Sequence, residues 1–63
     1  MNPKFKLNEI VIYNNNKYRV IKVEQYINGY DLFYDLLSED EHLLLTGIIE
    51  NQIEKLSEEA IDV

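Results

Sequence analysis

The sequence predicts an all-β domain, and two observations carry the prediction. Runs rich in β-branched and aromatic residues follow one another at short intervals, as strands do. Between them lie residues that favour tight turns, most clearly the three asparagines at 14–16 and the Asn28-Gly29 pair. We therefore expect consecutive strands that short turns join into an antiparallel sheet.

The first hairpin should pair residues 9–13 with residues 18–25 around the asparagine turn. In the second of these strands Val20 and Val23 have opposite parity, although both are apolar enough for the core. One extra residue near Ile21-Lys22 would bring both valines to the same face. We therefore predict a β-bulge there, with a bend of the kind that curls a small sheet into a barrel.

The second half of the chain should add three more strands. The Asn-Gly pair is the strongest short hairpin signal, and the run after it alternates in the manner of a strand. Gly47 allows a bend or bulge near the end of the fourth strand. The predicted elements are a third strand at 30–38, a charged loop at 39–41, a fourth strand at 42–49, a 3₁₀ turn and short closing strand within 50–56, and an acidic, frayed tail at 57–63.

Four short motifs lie within residues 5–56. They are F-x-L-N-E-x-V-x-Y from Phe5, Y-x-V-x-x-V from Tyr18, Y-D-L at 30–32 and T-G-I-x-E-x-x-I at 46–53. Together they resemble the small SH3-like barrel modules of bacterial and phage proteins. The resemblance implies a single five-stranded barrel with a bulged second strand and a 3₁₀ turn before the last strand. Such modules commonly open strand one with Gly-Asp; here Asn8-Glu9 takes that place, and asparagine accepts the left-handed conformation of the turn.

Length and composition limit the chain to one small domain. With 63 residues, roughly 60% of the surface is buried on folding, so the core is thin. The chain has no cysteine, its apolar runs, such as residues 43–45, are no longer than four residues, and its N-terminal lysines precede no apolar segment long enough for a signal peptide. These features predict a cytoplasmic protein without a signal peptide or membrane span. Seven asparagines and eight isoleucines favour a phage or low-GC bacterial source.

The net charge of −6 is unevenly distributed. Residues 1–30 hold five basic and two acidic side chains, a net +3, whereas residues 31–63 hold one basic and ten acidic side chains, a net −9. A strongly acidic half disfavours nucleic acid, because binding it needs a positive surface. We expect the acidic surface to select a basic protein partner. The residues predicted to do so are Glu39, Asp40, Glu41, Glu58 and Glu59.

Catalysis is not expected. The two glycines, Gly29 and Gly47, are too few for a phosphate-binding loop, and no nucleophile has a plausible base beside it in the sequence. The single histidine, His42, follows Asp40 and Glu41 directly, so on a strand their side chains diverge and a metal or general-base role is disfavoured. We predict a non-enzyme with no metal and no cofactor.

The outward parity of the strands predicts a second apolar surface. If Val11 and Leu32 point into the core, the residues beside them in each strand point out. A contiguous apolar patch on a small protein usually marks an interface, so a two-fold homodimer or docking on one partner is expected. The simpler interpretation is that the N-terminal MNPKF or the C-terminal AIDV segment folds over the patch. The predicted interface residues are Ile10, Ile12, Phe33 and Leu37, with Leu43 or Leu44 beside them.

These patterns favour a protein-binding module, for example an accessory or inhibitory protein that occupies the basic groove of a nucleic-acid enzyme. Two alternatives stay open. A nucleic-acid module would use the basic second strand with a stacking aromatic ring, namely Lys17, Arg19, Lys22 and Tyr26. A small-ligand-binding oligomer would form a pocket between subunits, lined by some of the tyrosines at 13, 18, 26, 30 and 34.

Overall fold

A computed structural model of the protein describes residues 2–25 and 31–56. These residues form five antiparallel strands in one sheet, with one 3₁₀ turn and no α-helix. The strands are β1 (Ile10–Tyr13), β2 (Asn16–Gln25), β3 (Leu32–Ser38), β4 (Leu44–Ile49) and β5 (Glu54–Lys55), and the 3₁₀ turn is Glu50–Gln52. The predicted all-β fold and the predicted 3₁₀ turn before the last strand are confirmed.

The strand order is β4-β3-β2-β1-β5. β5 returns to pair with β1, so β4 and β5 are the two edges, and no pairing between them closes the described part of the sheet. Two predicted starts are wrong: β2 begins at Asn16, two residues earlier than predicted, and β4 begins at Leu44, two residues later, because residues 42 and 43 still belong to the loop. β3 begins at Leu32, and the residue before it, Asp31, is not in a strand. The predicted Asn28-Gly29 turn and the tail at 57–63 lie outside the described residues.

A two-residue turn, Asn14-Asn15, joins β1 to β2. The two asparagines have φ values of 53° and 66°, and positive φ at both positions is what a type I′ turn requires. Asparagine accepts this conformation because its short polar side chain can hydrogen-bond locally. Tyr13 pairs with Asn16 across the turn, which confirms the predicted first hairpin.

The chain enters β1 through a turn at residues 6–9. Asn8 has a φ of 73°, the left-handed conformation predicted for it. The backbone N–H of Glu9 donates to the carbonyl of Lys6 at 3.0 Å and closes the turn. Asn8 N–H donates to the carbonyl of Val20 at 2.7 Å, and Val20 N–H donates to that of Glu9 at 2.9 Å. These two bonds fasten the turn to β2.

Two bulges bend the sheet, one on each side of β3. In β2 the pairing with β3 shifts between Val20 and Lys22, which leaves Ile21 as the extra residue and confirms the predicted bulge. In β4 two residues lie opposite the single Asp35, and the second of them, Gly47, has a φ of 67°. Gly47 N–H donates to Asp35 Oδ1 at 3.0 Å, so the displaced amide has a partner within the sheet.

The core lies on one face of this sheet. The β2 bulge allows Val20 and Val23 to face it together, opposite Leu36 and Tyr34 of β3. A core this small means that the loss of one large side chain removes much of the stability. The buried side chains are Phe5, Val11, Tyr18, Val20, Leu32, Tyr34, Leu36 and Ile53, and those of Tyr13, Val23, Leu45 and Ile48 pack partly against them.

The N-terminal segment completes this core. Phe5 is 1% exposed and packs edge to face on Tyr34, with ring centroids 5.5 Å apart. The Tyr34 hydroxyl donates to Glu50 Oε2 at 2.6 Å, and the same oxygen accepts the backbone N–H of Lys4 at 2.8 Å. The idea that MNPKF folds over the outer apolar patch is therefore wrong, since Phe5 inserts into the inner face.

Candidate functional site

The outer face of the sheet is a mixed surface. Strand register places four residues in one row across the sheet: Ile10, Arg19, Leu37 and Leu44. Arg19 therefore separates Ile10 from Leu37, two of the predicted interface residues. The apolar part of the row runs from Leu37 to Leu44, at the β4 edge.

The other two predicted interface residues lie in different rows. Ile12 lies opposite Lys17 of β2, and Phe33 lies opposite Glu24 of β2. All four predicted interface side chains are only half-exposed or less. The structure thus pairs each of them with a charged neighbour on β2 and does not bring them together as one exposed apolar patch.

The most exposed large apolar side chains lie elsewhere in the described residues. Leu43 and Leu44, where the loop meets β4, are 49% and 53% exposed. Leu7, in the turn at residues 6–9, is 59% exposed, and Ile21 in the β2 bulge is 38% exposed. Because successive side chains of an extended segment point to opposite faces, Leu44 lies on the outer face beside Leu37 and Leu43 on the other side, so both sides of the β4 edge expose an apolar residue at its start.

The two edges of the sheet have different chemistry. β5 has two residues, Glu54 and Lys55, and a short charged edge resists further strand pairing. β4 has six residues, none of them charged. Ser38 N–H donates to the carbonyl of Leu43 at 2.9 Å, so by the alternation of an antiparallel ladder the N–H and C=O of Leu44 point away from β3. β4 therefore presents backbone hydrogen-bonding groups at an apolar edge.

Ser38 and Asp40 hold the loop between β3 and β4. The Ser38 hydroxyl donates to Asp40 Oδ1 at 2.6 Å and accepts the backbone N–H of Leu43 at 3.0 Å. Asp40 Oδ1 also accepts the backbone N–H of His42 at 3.1 Å. Glu41 has a φ of 64°, and its N–H donates to the carbonyl of Ser38 at 2.9 Å. These bonds give the acidic loop one defined conformation.

The same loop stabilises the charge of Asp40. The Ser38 hydroxyl, and after it the backbone N–H of His42, donate to the carboxylate and hold the pKa of Asp40 below its usual value. His42 Nδ1 lies 3.5 Å from Asp40 Oδ2, but both side chains are largely exposed, so this pair contributes little. Ser38 is absent from the predicted site residues; its Ser-x-Asp spacing, typical of side chains that hydrogen-bond within turns, is the signal that identifies it.

Acids lie beside two of the three predicted basic residues. Arg19 Nη2 is 3.5 Å from Glu41 Oε2, which joins a predicted nucleic-acid-binding residue to a predicted acidic one. Lys22 Nζ is 3.8 Å from Glu24 Oε2. Such exposed pairs add little stability, but each lowers the positive potential of β2. Three predicted site residues, Tyr26, Glu58 and Glu59, lie outside the described residues.

A cleft of about 460 Å³ lies between the start of β2 and the acidic loop. Lys17 and Tyr18 line one side, and Glu39, Asp40 and His42 line the other. No three potential metal-binding side chains come together within residues 2–25 and 31–56. Because the cleft is open and lined by charges of both signs, it suits a polar side chain of a bound protein.

Comparisons of the chain with family models, with curated proteins and with solved structures find no match. None of the segments that the structure describes contains a helix of the length and hydrophobicity needed to cross a membrane. The geometry of the β4 edge and of the neighbouring loop is therefore the basis for a functional proposal.

Proposed function

We propose that this protein is a non-enzymatic protein-binding module that docks a basic partner on the β4 edge and the acidic loop. The observation that carries the proposal is the position of Leu43 and Leu44, which are exposed beside the ordered loop at residues 39–41. Protein interfaces commonly combine an apolar centre with a polar rim. The carboxylates of Glu39, Asp40 and Glu41 would form that rim and select the partner by charge.

The architecture we propose is an SH3-like barrel of bacterial or phage type that stays open between β4 and β5. Three features support it: the left-handed Asn8 before β1, the bulge at Ile21, and the 3₁₀ turn Glu50–Gln52 before the last strand. Bulges are the usual device that bends a small sheet toward a barrel. In this architecture the β4 edge stays accessible to a partner.

The class of partner follows from charge. An accessory or inhibitory protein could place this acidic surface in the basic groove of a nucleic-acid enzyme, in the cytoplasm of a bacterium or of a phage host. Direct binding of nucleic acid is less favoured, because Arg19 pairs with Glu41 and Lys22 with Glu24. A tyrosine-lined ligand pocket is also less favoured, because Tyr34 is fully buried in the core and Tyr18 is the one tyrosine that lines the described cleft.

A two-fold homodimer stays a prediction from the sequence. If the outer faces paired, Arg19 would be buried near the centre of the interface, between Ile10 and Leu37. Burial would take the Arg19–Glu41 pair out of water, and the cost of this desolvation often exceeds the attraction between the two charges. The mass of the protein in solution, measured by light scattering over a range of concentrations, tests the dimer directly.

The proposed function is tested by capture of a partner with the tagged full chain. Bacterial lysate is treated with nuclease and applied at low and at moderate salt. Leu44→Ser removes an exposed apolar side chain at the β4 edge, and Leu7→Ser is its control, because the two leucines are 53% and 59% exposed. A variant with neutral amides at Glu39, Asp40 and Glu41 tests the loop.

One stoichiometric protein should be retained by the wild type and by Leu7→Ser, and lost with Leu44→Ser. The neutral loop should weaken capture, most strongly at low salt, where charge interactions are least screened. Recovery of nucleic acid alone, released by salt, would assign the function to the basic strand. Equal capture by the wild type and both loop and edge variants would also overturn the proposal.

A further inference from the structure

We infer that β4 receives an extended, basic segment of the partner protein as a sixth strand of the sheet. The inference rests on the proposed function and specifies how the partner is held. In strand addition the backbone hydrogen bonds supply affinity, and alternate side chains supply specificity. The three features that carry the inference are the free backbone direction at Leu44, the absence of charge within β4, and the acids at its two ends.

The backbone of β4 is arranged for pairing on its open side. The N–H and C=O of Leu44 point away from β3, because Ser38 N–H donates to the carbonyl of the preceding residue, Leu43. The bulge does not add an unpaired donor, since Gly47 N–H donates to Asp35 Oδ1. A strand laid beside Leu44 would therefore meet correctly oriented groups and an exposed apolar side chain.

The charges at the two ends of β4 indicate which segment fits. Glu39, Asp40 and Glu41 lie in the loop before the strand, where Glu41 pairs with Arg19. Glu50 follows the strand directly, and its Oε2 accepts hydrogen bonds from the Tyr34 hydroxyl and the Lys4 N–H. A strand that pairs along the six residues of β4 would bring both of its own ends near these carboxylates. The fitting segment therefore has alternating apolar residues in its middle and lysine or arginine at its ends.

A second copy of the chain fits this edge poorly. Two β4 strands paired antiparallel about a two-fold axis would place the loop at 39–41 of each copy near Glu50 of the other. Like charges would then oppose one another at both ends of the new ladder, and each molecule carries a net charge of −6. Charge complementarity selects a basic segment over a second copy.

The experiment uses a displayed library of random peptides of about twelve residues, long enough to span β4, selected on the full chain. The 63-residue chain is short enough for chemical synthesis, which permits a version with an N-methyl group on the Leu44 amide. This group blocks the outward N–H and leaves every side chain unchanged. A version N-methylated at Leu7 is the control, and circular dichroism checks that both fold.

Selected peptides should alternate apolar residues between basic ends and should bind N-methyl-Leu44 protein about tenfold more weakly than the Leu7 control. The Leu44 amide should exchange with solvent rapidly in the free protein and slowly in the complex. Peptides that bind both synthetic versions equally, or a library that yields no binders, would overturn strand addition. A Leu44 amide that already exchanges slowly with solvent in the free protein would also overturn strand addition. Slow exchange at every protein concentration would indicate that the chain itself covers the edge. Slow exchange only at high concentration would indicate that a second copy covers it.

Failure of strand addition is distinguishable from failure of the proposed function. If Leu44→Ser abolishes capture of the partner while N-methylation has no effect, the partner docks on the apolar side chain and the backbone edge is not used. If neither change affects the captured partner, both proposals fail. If both changes abolish capture, the partner occupies the edge as a strand.

Discussion

The Tyr34 hydroxyl donates a 2.6 Å hydrogen bond to Glu50, which joins the middle of β3 to the 3₁₀ turn. The same carboxylate oxygen accepts the backbone N–H of Lys4, so three distant parts of the chain meet at one atom. The ring of Tyr34 also packs against Phe5. The Tyr34 hydroxyl also accepts the backbone N–H of Phe5 at 3.4 Å, so one side chain anchors the N-terminal segment by both a polar and an apolar contact.

Replacing Tyr34 with phenylalanine is expected to lower the free energy of unfolding by about 1.5–3 kcal/mol, because a hydrogen bond to a charged group is lost. The ring contact with Phe5 remains, so the change isolates the hydroxyl. Urea denaturation measures the loss, with Tyr13→Phe as a control at a partly buried tyrosine. Equal losses of unfolding free energy in Tyr34→Phe and Tyr13→Phe would contradict the role of Glu50. Fully additive losses from Tyr34→Phe and Glu50→Gln would contradict it as well.

Alkaline pH should act through the same side chain. Burial, and after it the hydrogen bond to Glu50, raise the pKa of Tyr34 from 10.0 to about 12. Between about pH 10 and about pH 12 the unfolded chain loses this proton while the folded chain keeps it. The contribution of Tyr34 is therefore complete below about pH 10 and falls by about 1.4 kcal/mol per pH unit above it. The free energy of unfolding is measured by denaturation at each pH. The difference in this free energy between wild type and Tyr34→Phe should become smaller through this window, and a constant difference would refute the raised pKa.

Gly47→Ala is expected to destabilise the protein by about 1 kcal/mol, because φ is 67° and an L-residue is strained there. A Cβ at this position meets no atom within 4 Å, so the backbone alone causes the loss. A synthetic chain with D-alanine at position 47 is the matched control, since a D-residue prefers positive φ. It should be at least as stable as the wild type in thermal melting. Equal destabilisation by the two alanines would show that space, and not φ, limits this position.

Ser38→Ala should raise the pKa of Asp40 toward its usual value, because the hydroxyl is the main cause of the lowered pKa. In the wild type, the stabilising contribution of the ionised Asp40 is present above the usual pKa of the carboxyl and is lost as pH falls through the lower folded value. Titration of the carboxyl carbon by NMR measures the change. Ser38→Thr retains a hydroxyl and should keep the pKa of Asp40 low. An unchanged pKa of Asp40 in Ser38→Ala would show that the Ser38 hydroxyl does not stabilise this carboxylate.

Local sequence signals predicted the features that depend on one or two residues. Asn8 and Gly47 both adopt positive φ, and asparagine and glycine accept that conformation with little strain. The bulge at Ile21 followed from the parity of Val20 and Val23 alone. The burial of Phe5 beside Tyr34 could not be predicted in this way, because 29 residues separate them and no periodic pattern links the two.

The candidate site was predicted less well than the fold, for a related reason. Parity assigns a residue to a face, but only the register between strands assigns it to a row. Ile10 and Leu37 were correctly grouped as strand neighbours of core residues, yet the register places Arg19 between them. The exposure of Leu43 depends on where the loop ends and β4 begins, which the sequence-based boundary misplaced by two residues.

The unequal edges of the sheet bear on how far any assembly can extend. Growth of an open-ended fibre by strand pairing requires that each molecule have two free edges, one that pairs with the molecule before it and one that pairs with the molecule after it. In the described sheet β4 is suited to the first task, whereas β5, with only Glu54 and Lys55, is poorly suited to the second. Assembly through β4 would therefore stop after one partner, and the complex would have a fixed one-to-one stoichiometry.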